Sequence, residues 1–188
     1  MRIANVIEES RIGGPQIRNL QVAKALKGNI DITLVFPRKN SKVLKRQCNL
    51  LGVKYLSLSL TTIKKGLIGI LLYVFFFPYE VVMLAWILKK NNFDLVHVSG
   101  GSWQSKGIFA AKLARINVIW ELNDTYTPAI VRNIFFLISH LADGFIYASA
   151  STKKYYRKLI STKKKSFIIQ SPVDVDRFNP GLNYKTDK

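Results

Sequence analysis

Short apolar runs alternate with longer stretches of helical spacing along nearly the whole chain. The runs predict strands at 2–7 (RIANVI), 30–36 (IDITLVF), 53–58 (VKYLSL), 94–98 (DLVHV), 117–122 (NVIWEL), 144–148 (GFIYA) and 166–170 (SFIIQ). Several are apolar on both faces, as strands covered by helices on each side should be. The stretches between them are long enough for right-handed crossovers. This order predicts one doubly wound α/β domain with a mostly parallel sheet of about seven strands and helices on both faces. It runs over 1–180, with 181–188 as a tail.

Two of the helical stretches are unusual. In 39–52 (KNSKVLKRQCNLLG), Val43, Leu44, Gln47, Leu50 and Leu51 fall on one side and Lys42, Lys45, Arg46 and Asn49 on the other. The charged side is either a solvated surface or a face for lipid headgroups or polyphosphate. The apolar stretch 67–88 is long enough to span a bilayer. Pro78 and Glu80 near its middle argue against spanning, as does its place in the crossover between the third and fourth strands. Two packings remain: a broken helical pair, partly on the sheet and partly dipping into a membrane surface, or a wholly buried core helix.

Charge narrows the partners. The chain carries 29 basic and 11 acidic residues, a formal net of +18. No acidic residue occurs from Ile32 to Tyr79, where Arg38, Lys39, Lys42, Lys45, Arg46, Lys54, Lys64 and Lys65 fall. Such a field attracts nucleic acid, an anionic membrane or phosphorylated substrates. The 48% hydrophobic content excludes a disordered chain, and the single Cys48 excludes an internal disulfide. The N-terminal run meets Glu8 and Glu9 too early to read as a secretory signal.

In an open parallel sheet, ligands bind beyond the carboxyl ends of the strands where the strand order reverses. Three strand ends meet there. After the first comes Gly13–Gly14–Pro15 at a helix start, where backbone N–H groups can approach a phosphate. This is neither a dinucleotide fingerprint nor a P-loop. After the fourth comes Ser99-Gly100-Gly101-Ser102-Trp103-Gln104, small residues followed by side chains suited to a sugar ring. After the fifth, Glu121, Asn123 and Asp124 form an acidic rim, although Asp124 or Thr127 could equally cap the helix that starts near Pro128. Each glycine pair also has a plain reading as a turn. The cleft suggests a phosphorylated or nucleotide-linked ligand. His97 and His140 lack a second ligand at useful spacing, so they read as structural, and no metal is expected. No serine sits in a nucleophile elbow. The basic runs 152–158 and 162–166 read as a surface helix and a turn.

Five segments in order, RIGGPQIRNLQVAKAL, DLVHVSGG, WELNDT, LADGFIYASAST and IIQSPVDVDRFNP, make residues 2–180 resemble the N-terminal half of a GT-B glycosyltransferase of family 4. The resemblance implies a Rossmann-like domain that holds the sugar acceptor. A second domain, absent here, would hold most of the nucleotide-sugar donor. It implies that Gly13 and Gly14 approach the donor diphosphate, with no metal or other cofactor. Gln16, Gly100, Gly101, Trp103, Gln104 and Glu121 are then candidate substrate contacts, and Asn123 and Asp124 candidate catalytic residues. The family often carries a histidine where Asn123 stands, and an amide cannot act as a general base. SPVDVDRFNP resembles the passage into the missing domain, so a separate donor-domain subunit is a possible partner.

The leading expectation is an acceptor-binding half-enzyme for lipid-linked or cell-surface polysaccharide synthesis. It would be cytoplasmic, at the inner face of the membrane, and dependent on a donor domain. The alternative is a non-catalytic membrane-peripheral or partner-binding module using the same cleft. A third reading, nucleic-acid binding, is prompted by charge alone. No recognition motif accompanies it, and none is expected as a partner.

Overall fold

A computed structural model of the chain describes residues 1–63, 66–160 and 164–170. The valine-, isoleucine- and leucine-rich runs form strands: β1 (Arg2–Val6), β2 (Asp31–Pro37), β3 (Lys54–Leu58), β4 (Leu95–Gly100), β5 (Asn117–Leu122), β6 (Gly144–Tyr147) and β7 (Lys165–Ile168). All pair in parallel, in the order β3-β2-β1-β4-β5-β6-β7. The order reverses between β1 and β4, whose register sets Ile3 beside Leu95 and Val6 beside Val98. The expected doubly wound, parallel Rossmann-like sheet is thus observed.

Alternation along the strands separates two cores. On one face α1 (Gly14–Ala25) and α2 (Lys42–Leu51) bury Ile7, Leu20, Leu34, Phe36, Leu44 and Cys48. On the other, α3 (Leu67–Lys90), α4 (Lys106–Leu113), α5 (Ala129–Ser139) and α6 (Ala150–Arg157) cover the larger core. Within it an aromatic chain joins β5, α5 and α6: Trp120 and Phe135 centroids are 4.9 Å apart, Phe135 and Tyr156 5.0 Å. Such pairs add about 1 kcal/mol each beyond area burial.

Two expectations need correcting. In α2 the buried face is Leu44 and Cys48, whereas Val43 and Leu50 are exposed. Leu44 and Cys48, four residues apart, lie on one face of the helix and reach the core together. Burial there pushes the Cys48 thiol up to about 11. The segment 67–88 is neither a broken pair nor a wholly buried helix. α3 is one continuous helix with Pro78 inside it. Pro78 is exposed, as is Val74, whose carbonyl its missing N–H leaves free, so solvent can satisfy that carbonyl. The C-terminal half buries Glu80, Val81, Leu84, Ala85 and Leu88, while Leu67, Ile68, Leu71, Val74 and Phe75 in the N-terminal half are exposed. By length and composition alone α3 could cross a bilayer. In the fold it runs between β3 and β4, strands of one sheet that are separated by β2 and β1. The segment 171–180 lies outside the described residues.

Candidate functional site

The turns after β1, β4 and β5 are hydrogen-bonded into one edge. Glu8 N donates to Gln104 Oε1 (3.0 Å), Lys106 N to Glu8 Oε1 (2.7 Å) and Asn123 N to Gly100 O (3.2 Å). The Ser102 and Thr127 hydroxyls lie 3.1 Å apart, and Asn19 Nδ2 donates to Ser99 Oγ (2.9 Å). Gly100 makes this packing possible. Its φ of 148° disfavours a side chain, and a Cβ there would lie 2.1 Å from the Gln104 amide. A Cβ on Gly101 would strike the Trp103 ring at 2.5 Å, so the indole lies back against this backbone, 41% exposed.

At the first turn, Gly13 is the extended N-cap of α1 and Pro15 occupies its first turn. A Cβ on Gly14 would meet nothing within 4 Å, so the start of α1 faces open space with no acidic side chain in its first turn. Those features leave its N–H groups and positive dipole end available to an anion. Gln16 is buried and donates to Glu9 O (3.0 Å), bracing the loop from within.

Two buried ionic clusters flank the edge. On the α1 side, Arg18 pairs with Glu121, and His97 Nε2 lies 2.9 Å from the other Glu121 oxygen. Asn5 Nδ2 donates to His97 Nδ1 (2.8 Å), which leaves Nε2 as the protonated nitrogen toward Glu121. Arg18 also donates to Ile169 O (3.0 Å). Burial would raise the Glu121 carboxyl, but His97, Arg18 and Asn123 together hold it below its ordinary value.

On the α3 side, Lys106 is fully buried with Nζ 2.5 Å from Glu80 Oε2, 3.0 Å from Thr61 Oγ1 and 4.0 Å above the Tyr73 ring centroid. Tyr73 donates to Glu8 Oε2 (2.9 Å). Burial pushes the Glu8 carboxyl up to about 7, against the opposing charge of Lys106 and the hydrogen bonds from Tyr73 and Lys106. Sequence reasoning did not single out Glu8, Arg18, Tyr73 or Lys106. Glu8 directly after a strand and Lys106 at a helix start were the available signals.

The β5 corner carries two unspent oxygens. Tyr156, placed by the aromatic chain, donates its hydroxyl to Asp124 Oδ1. Burial raises the Asp124 carboxyl, with the Tyr156 hydrogen bond opposing. Asn123 Oδ1 and Asp124 Oδ2 are buried without a hydrogen-bond partner among the described residues. Buried oxygens of this kind call for a partner. Neither Asp124 nor Thr127 caps α5, which begins after Pro128 without a side-chain cap. Gly13, Gly14, Gly100, Gly101, Trp103, Asn123 and Asp124 therefore stand along the strand-end edge. Gln16, Gln104 and Glu121 are buried beneath it as its supports. No group of three His, Cys, Asp or Glu side chains suited to a metal ion occurs among the described residues.

The family model for glycosyltransferase family 4 matches residues 12–177. An N-acetylglucosaminyltransferase from Prochlorococcus marinus (strain MIT 9301), which acts on N-acetylmuramyl-(pentapeptide) pyrophosphoryl-undecaprenol, is 27% identical over 146 residues. That match covers 74% of this chain and 38% of the relative. Among solved structures, Anabaena HepE in complex with UDP and glucose superposes with a TM-score of 0.71 at 14% identity, covering 94% of this chain and 46% of that one. A glycosyltransferase from Rickettsia africae ESF-5 superposes with 0.71 at 18% identity, covering 97% and 46%. The chain spans less than half the length of these proteins.

Proposed function

The chain belongs to glycosyltransferase family 4, and from that premise we propose that it is the acceptor-binding half of a nucleotide-sugar-dependent glycosyltransferase serving lipid-linked or cell-surface polysaccharide synthesis. The observation that carries the reading is the joined strand-end edge, with an open helix N-terminus at one corner and the unpartnered Asn123 and Asp124 oxygens at another. An acceptor hydroxyl donating to Asp124 Oδ2 would be oriented beside the start of α1, where a donor diphosphate gains backbone N–H bonds and the dipole. Asp124 Oδ2 accepts from the hydroxyl and orients it; Asn123 Oδ1 takes a second hydroxyl of the sugar. Trp103 offers a partly exposed face for the ring. The UDP complex of HepE supports a nucleotide sugar as donor, and the undecaprenol-linked substrate of the Prochlorococcus relative supports a lipid-linked acceptor.

Stabilising the departing diphosphate takes donors on both of its sides. The remaining donor contacts belong to a C-terminal donor domain, supplied by the same polypeptide or a separate subunit. Purified protein given radiolabelled UDP-glucose or UDP-N-acetylglucosamine with a membrane lipid extract is expected to transfer no label alone. Transfer by residues 1–188 unaided would refute the dependence. Acceptor binding is tested by saturation-transfer NMR with farnesyl diphospho-N-acetylglucosamine. Contacts to the sugar ring are expected, and their loss in an Asn123→Ala, Asp124→Ala double variant. A sugar ring that receives no saturation from the unaltered protein overturns the reading.

The exposed apolar half of α3 and the basic residues of α2 support a location at the inner, cytoplasmic face of a membrane. Flotation with vesicles containing phosphatidylglycerol at low salt is the check. Protein left at the bottom of the gradient removes the membrane component.

A further inference from the structure

A groove of about 480 Å³ lies beyond the ends of β2 and β3, against the middle of α3. One rim carries Arg38 and Lys39, both exposed and without an acidic partner among the described residues. The opposite wall is apolar, made by Leu60, Phe76 and Tyr79. Glu80 also lines it, yet its carboxylate does not confront an incoming anion. One oxygen accepts from Thr61 N (2.6 Å), the other from Thr61 Oγ1 (3.0 Å) and pairs with Lys106. The wall continues into the exposed apolar residues of α3, including Phe75, 76% exposed.

We propose that this groove binds one molecule of a lipid phosphate, its phosphate between Arg38 and Lys39 and the first part of its hydrocarbon chain against Leu60, Phe76 and Tyr79. The inference rests on the acceptor reading above and gives it a second site, one that holds the lipid end of the acceptor rather than its sugar. Inorganic phosphate would use only the cationic rim, and a neutral lipid only the wall. A phosphate joined to a long chain uses both, and the exposed stretch of α3 gives the rest of the chain an apolar path. The groove is also wired to the sugar cleft. Its floor residue Thr61 accepts from Lys106 Nζ (2.5 Å), whose backbone N–H binds Glu8 at the end of β1. The backbone carbonyl of Lys39 accepts from the Ser10 hydroxyl, in the loop that leads to Gly13. A head group seated on this rim therefore lies against the loop that borders the cleft.

The test is titration of the full chain with farnesyl phosphate below its micellar concentration, followed by calorimetry. Saturable one-to-one binding is expected. Farnesol and inorganic phosphate should each bind at least about tenfold more weakly, as should farnesyl phosphate to an Arg38→Glu, Lys39→Glu variant or a Phe76→Ser, Tyr79→Ser variant. An Arg38→Lys, Lys39→Arg variant should retain binding, and unchanged denaturation midpoints should show that each variant folds. Equal affinity for inorganic phosphate, undiminished binding in the charge-reversed variant, or no binding of farnesyl phosphate overturns the groove. So does loss of anionic-vesicle flotation with farnesyl phosphate binding left intact, because the two basic residues would then serve a bilayer surface. If farnesyl phosphate fails here while the sugar of farnesyl diphospho-N-acetylglucosamine still contacts the Asp124 corner, this inference falls and the acceptor reading stands.

Discussion

The two buried ionic clusters beside the cleft are built from similar residues and behave in opposite ways. Around Glu121 one carboxylate is shared by two nitrogen partners, Arg18 and His97. Around Lys106 one ammonium is shared by two carboxylates, Glu80 by direct pairing and Glu8 through its charge and backbone N–H. Burial pushes Glu121 and Glu8 upward. The surplus of donors still lowers Glu121, whereas the deficit leaves Glu8 raised to about 7. With burial the largest influence on both, the ratio of oppositely charged partners accompanies the difference in direction. It also separates their tasks: the first pins α1 to the sheet, and the second pins α3 and α4 to the end of β1.

The strongest way to break this contrast is Lys106→Met. It strands Glu80 and leaves Glu8 without its cation, and should cost about 4 kcal/mol in urea denaturation. Arg18→Met, which leaves Glu121 its histidine, should cost less. An equal or larger loss for Arg18 contradicts the partner-ratio account.

The second contrast is in pH. Glu8 is raised in the folded state, so the unfolded chain gives up its proton first. The stability associated with Glu8 is complete below pH 4.5, and up to about 3 kcal/mol is lost as pH rises from 4.5 to about 7. Glu121 is lowered, so its contribution is present above the ordinary carboxylate range and lost as pH falls through its folded value. Glu8→Gln should flatten the neutral side of the stability profile, and Glu121→Gln the acid side. Identical profiles for the two variants would remove the distinction.

Gly100→Ala is expected to cost about 2 kcal/mol, from its positive φ and from displacement of Gln104, measured by thermal melting. A neutral effect would mean that Gln104 is not held as described. The smallest effect is foreseen for Phe75→Ser on the exposed half of α3, within about 0.5 kcal/mol in stability. The same change should reduce vesicle flotation, which a purely structural residue would not do.

Much of the fold was readable because a parallel sheet writes itself locally. Every predicted strand reappears within a few residues, since each is a short apolar run between helical spacings. The three strand ends were likewise marked by two glycine pairs and by the polar group Glu121, Asn123 and Asp124. The clusters that hold those ends together were not readable. Glu8 and Lys106 are far apart in the chain, and so are Arg18 and Glu121, and nothing in either neighbourhood announces the other. α3 shows the same limit from the apolar side: Leu71 and Leu84 are alike in composition, yet one is exposed and the other fully buried.

By itself, then, the sequence determined the order and type of the elements, the parallel crossovers and the positions of the turns, because hydrophobic period and glycine preference act over a few residues. Only the tertiary structure decided which charges are paired, which half of α3 is covered and that Lys39, Thr61 and Glu8 belong to one continuous edge. Those depend on burial and Coulomb energy, which are fixed by distances in space that separation along the chain does not encode.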